Sequence, residues 1–131
     1  MTDIYPICRL NKDLYRTISS DIATDEVVVT GERLQHIMER HPKDYSLFGN
    51  YAADMIVNPD YIIEANLPFS AMVFKEVEDG GKKLKLILRL KTSVDAAMFK
   101  NSVITFQAIR PKEWSRILRN KKILYKSASA E

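Results

Sequence analysis

A single cysteine, Cys8, stands in 131 residues, so no internal disulfide can form and no Cys-type zinc site is spelled out. That excludes a small stapled secreted fold and leaves Cys8 as a buried or bystander thiol. The chain has only two histidines and four glycines. There is no HExxH pair, and Glu39 with His41 does not complete a zinc triad, so no metal and no cofactor is expected. The glycine pair Gly80-Gly81 follows Asp79 and leads into a strand-like run, not a helix; it reads as a hairpin and not as a phosphate-cradling loop. No apolar run approaches a membrane span, and the opening MTDIYPICRLNKD lacks a basic start and an apolar core, which predicts a cytoplasmic chain with no membrane partner. Repeats, low-complexity tracts and linkers are missing too. At this length one core is expected, a single domain over 1–131.

What is present is an uneven charge. Between Arg110 and Lys126 seven basic residues face Glu113 alone, giving that stretch +6, so the rest of the chain carries −3 of the total of +3. Arg116, Arg119, Lys121 and Lys122 lie at its centre, with Trp114 and Tyr125 beside them. Cations neutralise a phosphate backbone and rings offer faces to unpaired bases, which suits a nucleic-acid surface. A solvated basic helix and strand would show the same composition.

The pattern of residues predicts helices first and strands afterwards. Residues 1–24 read as a helical extension with a helix near 12–22, and 27–29 is a short β-branched run. Thr30 is an N-cap, Glu32 suits the first turn, and Pro42 turns His41 out of helical geometry, which bounds a helix between them. A second helix spans 45–57 and stops before the turn Asn58-Pro59-Asp60. Strands follow at 61–65, 71–76, 83–90 and 102–109; a helix with Pro111 at its first position and a closing strand at 121–125 complete the chain. Hairpin-linked strands imply an α+β fold, N-terminal helices packed on a C-terminal antiparallel sheet of about four to five strands. Residues 127–131 are expected to fray. Met38, Met55, Met72 and Met98 read as core fillers.

Both histidines fall in GERLQHIMERHP, residues 31–42. Imidazole alone among unperturbed side chains titrates between about pH 5 and 8, so a pair can divide acid and base roles. On a helix Leu34, Ile37, Met38 and His41 share an apolar sector, whereas His36 lies on the far side with Arg33 and Arg40. The helix end favours protonated His41, which suits it to the acid role and His36 to the base role. A site using both needs the helix to unwind at His41, or needs the His36 face to turn inward locally.

The run VVVTGERLQHIMERHP, the turn NPDYII, the strand KLKLILRLK, the segment KNSVITFQAIR and the terminal KKILYK together make the chain resemble the phage-borne and toxin-associated Barnase-EndoU-colicin-RelE-like nucleases. The resemblance covers about residues 27–126. It implies a small helix-plus-sheet ribonuclease that cuts without a metal, usually as a toxin. Carried onto this chain it implies His36 and His41 on the helix with Arg40 alongside, Thr105 on the sheet supported by Ser102, and Tyr125 as the C-terminal aromatic. A catalytic lysine is usual; here Lys91, Lys100, Lys121 and Lys122 compete, and Lys100 is preferred because it precedes the strand of Thr105. The implied partners are RNA, with tRNA among the targets, and an antitoxin or immunity protein. Against this stands a non-catalytic nucleic-acid or protein-binding module on the same scaffold, which would show salt-sensitive affinity and no turnover.

Overall fold

The computed structural model describes residues 3–78 and 80–130, and its layering follows from one alternation. In the strand β5, Lys83–Arg89, every second residue is buried: Leu84, Leu86 and Leu88 are fully buried, while Lys83, Lys85, Ile87 and Arg89 are half-buried. A strand that sends successive side chains to opposite faces must therefore be covered on both.

The elements run β1 (Ile4–Arg9), α1 (Lys12–Tyr15), β2 (Glu26–Thr30), α2 (Gly31–Arg40), a short 3-10 turn (Pro42–Asp44), α3 (Tyr45–Val57), β3 (Tyr61–Glu64), β4 (Ser70–Glu76), β5, β6 (Asn101–Ile109), α4 (Pro111–Asn120) and β7 (Ile123–Lys126). The seven strands form one sheet in the order β1-β2-β6-β5-β4-β3-β7. All pairings are antiparallel except β2 with β6, which run parallel through Val27↔Asn101 and Val28↔Ser102.

On one face Leu84, Leu86, Leu88, Val103 and Phe106 pack with Phe48, Ala52, Met55 and Ile56 of α3 and with Ile37 of α2. The other face carries Tyr61, Ile63, Met72, Phe74 and Ile109 under Trp114 and Ile117 of α4. There the Trp114 indole stacks on Phe74 with centroids 4.7 Å apart and meets Tyr61 edge-on at 5.9 Å. No helix among the described residues is long and apolar enough to cross a membrane.

The α+β class holds, but the sheet is larger and older in the chain than the pattern of residues suggested. It has seven strands and one parallel pair, where four to five antiparallel strands were expected. The N-terminal segment supplies an edge strand, not a helical extension: β1 pairs with β2, and Pro6, which lacks a backbone donor, is tolerated because β1 has no further strand neighbour among the described residues. The helix expected over 12–22 ends at Tyr15. Beyond it the Thr17 hydroxyl donates to the Leu14 carbonyl, and Ser19 exchanges hydrogen bonds with the Asp21 backbone, local bonds that compete with helix. Tyr15 is fully buried in the core cluster against which Cys8 of the first strand and Tyr125 of the last also pack.

Two methionines are corrected as well: Met55 and Met72 are buried, but Met38 and Met98 are 45% and 85% exposed. The expected hairpin at Asp79-Gly80-Gly81 lies partly outside the described residues, since Asp79 is not among them; Gly80 and Gly81 both take positive φ, 69° and 66°. Residues 127–130, expected to fray, make a turn in which the Ser127 N–H donates to the Asp60 carbonyl and Ala130 packs on the Trp114 cluster; Glu131 lies outside the described residues.

Candidate functional site

Among the described residues, β6 has no strand partner on its β2 side beyond Ser102, and α2 and the Pro42–Asp44 turn pack along it instead. The Ala108 N–H, which would otherwise face an empty edge, donates to Asp44 Oδ2 at 3.0 Å. This is what brings the histidine helix to the strand of Thr105. Its start is set by Thr30, whose hydroxyl accepts from the Arg33 N–H at 3.2 Å. Its end is set by Pro42: His41 takes φ −135° and ψ 60°, outside the helical region, while its N–H still reaches the Ile37 carbonyl.

Ile37, fully buried, fixes the roll of α2 by entering the α3-side core. His36 is next to it in sequence, about 100° further round the helix, beside Arg33 and Arg40. His36 and His41 are both half-buried, and neither ring has a hydrogen bond among the described residues. Arg33 and Arg40 are exposed and have no ion pair among the described residues. Glu32 and Glu39 are exposed on the same helix, so α2 carries no net charge although its two arginines are unpaired.

Thr105 is opposite Ile87 in β5, and Ile87 packs with the α4-side cluster, so Thr105 looks to the α4 side of the sheet. The buried side of α2 enters the α3-side core, so the core-facing side of the histidine helix and the Thr105 side chain lie on opposite faces of the sheet, with the uncovered edge of β6 between them. Ser102 is half-buried and pairs with Arg89 on the same face as Thr105.

Two expected participants are placed elsewhere. Lys100 donates to Glu26 Oε1 at 3.2 Å at the start of β6, about 16 Å along the strand from Thr105. Tyr125 packs against the α3-side core in β7, on the opposite sheet face from Thr105 and four strands from β6, about 19 Å away. The structure does not bring either to Thr105. Of the competing lysines, Lys91 donates to the Ala97 carbonyl and Lys121 to Asn66 Oδ1.

The basic C-terminal stretch sorts into a buried and an open side. On α4, Trp114 and Ile117 face the sheet, while Lys112, Arg116 and Arg119 form an exposed stripe at helical spacing. These three and the exposed Lys122 have no ion pair among the described residues. In contrast, the β5 cations are neutralised: Lys83 by Glu76 at 3.1 Å, Lys85 by Glu113 at 3.6 Å, Arg89 by Asp95 at 3.0 Å. A cavity of about 870 Å³ lies between α3 and the Trp114 corner, lined by Asp54, Asp60, Glu76 and Glu78 with Lys75. Four carboxylates against one ammonium repel a phosphodiester, so size alone does not make it the nucleic-acid site.

The residues missed from sequence are Arg89, Asp95, Phe69 and Phe99. Arg89 holds Asp95 by two nitrogens at 3.3 and 3.0 Å and lies 5.4 Å from the Phe69 ring centroid and 5.5 Å from that of Phe99. The Thr92 N–H donates to Asp95 Oδ2 at 2.7 Å, and this bond above all holds the Asp95 carboxyl below its ordinary pKa. The alternation of KLKLILRLK puts Arg89 on the same face as Lys83 and Lys85, a signal that was available; that two rings converge on it was not. No group of three His, Cys, Asp or Glu residues suited to a metal ion occurs among the described residues.

A family model described as phage-Barnase-EndoU-ColicinE5/D-RelE like nuclease2 matches residues 9–126. No curated protein and no solved structure matches the chain.

Proposed function

Since this chain belongs to the phage-Barnase-EndoU-ColicinE5/D-RelE like nuclease2 family, and is a nuclease by that membership, we propose that it is a metal-independent endoribonuclease acting by 2′-hydroxyl transesterification. The observation that carries this reading is the packing of α2, with His36, His41 and two unpaired arginines, along the free edge of the strand that holds Thr105. His36 removes the proton of the 2′-hydroxyl. The O2′–P bond forms, the P–O5′ bond breaks, and His41 protonates the departing O5′, leaving a 2′,3′-cyclic phosphate. Each placed proton-transfer group contributes about 10²- to 10⁴-fold in rate. Arg40 and the Thr105 hydroxyl serve the charge that grows on the phosphorane oxygens. Ser102 supports Thr105 from the same sheet face, and Arg116, Arg119, Lys121 and Lys122 hold the rest of the RNA backbone. Lys100 and Tyr125, which stand apart from Thr105, serve binding and packing in this reading.

Such an activity is toxin-like, and an antitoxin or immunity protein fits it: an acidic partner covering α2 and α4 would pair the cations now open on both. The test is cleavage of total RNA in EDTA. Fragments ending in cyclic phosphate are expected, and His36→Ala and His41→Ala should each lower kcat/KM by about 10²- to 10⁴-fold with RNA affinity and melting temperature kept. Intact RNA at high protein concentration, with salt-sensitive binding retained, would replace the enzyme by a binding module.

A further inference from the structure

We infer that Phe69 and Phe99 form a stacking subsite for an unpaired base of single-stranded RNA, with Arg89 as the strut that orders both rings. The inference rests on the ribonuclease reading and adds the part of the substrate gripped away from the reacting phosphate.

Phe69 is the one non-glycine residue with positive φ among the described residues, at 53°. A bulky side chain disfavours that region, and glycine or asparagine would serve the turn before β4 without strain. The backbone there is pinned, because the Phe69 carbonyl accepts from the Leu90 N–H at 2.8 Å. Despite the conformational cost, the ring is 45% exposed, and Phe99 is 36% exposed. Strained backbone that presents a ring to solvent contributes little to the core and points to use at a surface.

Arg89 is not free to bind phosphate itself. Its guanidinium is committed to Asp95 and to the Leu90 carbonyl while lying over both rings. What it does is fix two aromatic faces around one rigid cation. A cation stands beside one ring: Phe69 shares a hollow of about 240 Å³ with Lys122 and Glu64, whereas Lys100, which follows Phe99, is paired with Glu26. A ring beside a cation is what a single strand requires, since bases stack while phosphates are neutralised.

The position suits the substrate as well. Arg89 pairs across the sheet with Ser102, and two residues along β5 Ile87 pairs with Thr105 on the same face. That step is about 7 Å, comparable to the spacing of neighbouring nucleotides in an extended strand. The rings lie beyond Arg89, so a base held by them belongs to the strand on the Ser102 side of Thr105.

The test measures binding of an uncleavable single-stranded oligonucleotide with 2′-O-methyl riboses, intact or with abasic positions, to wild type, Phe69→Ala, Phe99→Ala and the two Phe→Tyr variants. Wild type should bind the abasic strand roughly tenfold or more weakly than the intact one, and each Ala variant should lose a similar factor for the intact strand only. The Tyr variants, which keep a stacking face, should restore it, and the salt slope should not change. With cleavable RNA the Ala variants should raise KM and leave kcat. Base-dependent binding that depends on both rings, in a protein that never cleaves RNA, would sustain the subsite and defeat the nuclease mechanism. Ala variants with wild-type melting temperatures that still discriminate intact from abasic strands as wild type does would overturn the subsite. So would sedimentation showing that they dissociate a dimer, since the exposed Leu67, Val94 and Met98 nearby would then belong to a protein interface.

Discussion

Tyr15 is fully buried yet ends in a hydroxyl, and that hydroxyl donates to the Ile56 carbonyl at 2.7 Å. Ile56 is in the last turn of α3, where carbonyls have no partner within the helix, so the phenol completes the helix that floors the core. Tyr15→Phe should lower stability by about 1–3 kcal/mol, read from the urea midpoint at unchanged slope, because the carbonyl left behind is buried without a donor. Close by, burial pushes the Cys8 thiol up from 9.0 to about 11, and burial above all, with the charges of Cys8 and Tyr125, raises Tyr15 as well. For both groups the fold favours the protonated form, so the unfolded chain releases its protons first. Stability from Cys8 is therefore full below pH 9 and declines as pH rises toward about 11. Denaturation across that window should show the decline, and Cys8→Ala should remove its lower part, leaving what Tyr15 causes at higher pH. Sequence marked Cys8 only by being alone. What shifts it is burial against a core assembled from segments far apart in the chain.

At the scale of elements, local signals and distant pairings divided the fold between them. The stretch from Thr30 to Val57 was legible because its punctuation is chemical: a capping threonine, an acid in the first turn, a proline after His41, and a turn at Asn58-Pro59-Asp60. The alternation in Lys83–Arg89 likewise gave β5, but the face it marks as wet is partly covered by α4, with Lys85 on Glu113 and Lys83 over the Trp114 ring. By contrast β1 carries a proline and partly exposed apolar residues, so only its partner β2 makes it a strand; and the parallel β2-β6 pair joins residues some seventy positions apart, which no hairpin signal announces. The same gap hid the lateral seat of α2. Thr30→Ala should cost about 1 kcal/mol through loss of the cap, visible in the denaturation midpoint. Asp44→Ala should cost about 1–3 kcal/mol by leaving the Ala108 N–H unpaired at the free edge of β6, whereas Asp44→Asn keeps an acceptor and should lose much less. If α2 is seated by this bond, Asp44→Ala should also lower cleavage more than Thr30→Ala does at equal stability.

For the whole molecule, charge is sorted by whether it is already spent. Lys75, Lys83, Lys85 and Arg89 stand against carboxylates, while Lys112, Arg116, Arg119 and Lys122 around α4 and Arg33 and Arg40 on α2 have none among the described residues. Net charge alone, at +3, hides this division. Cations that neutralise phosphates release counterions, so the logarithm of affinity falls with the logarithm of salt by about 0.7 per phosphate contact on a single strand. Replacing Arg116 and Arg119 together by alanine should therefore flatten that slope by up to about 1.4 and weaken binding at low salt most. Replacing Lys85 should not flatten it, because its charge is balanced by Glu113 and its loss would uncover an acid facing the strand. The measurement is a salt titration of oligonucleotide affinity for the three proteins. Equal slopes in all of them would mean that the α4 stripe is merely solvated and that the RNA backbone runs along α2 alone, past Arg33 and Arg40.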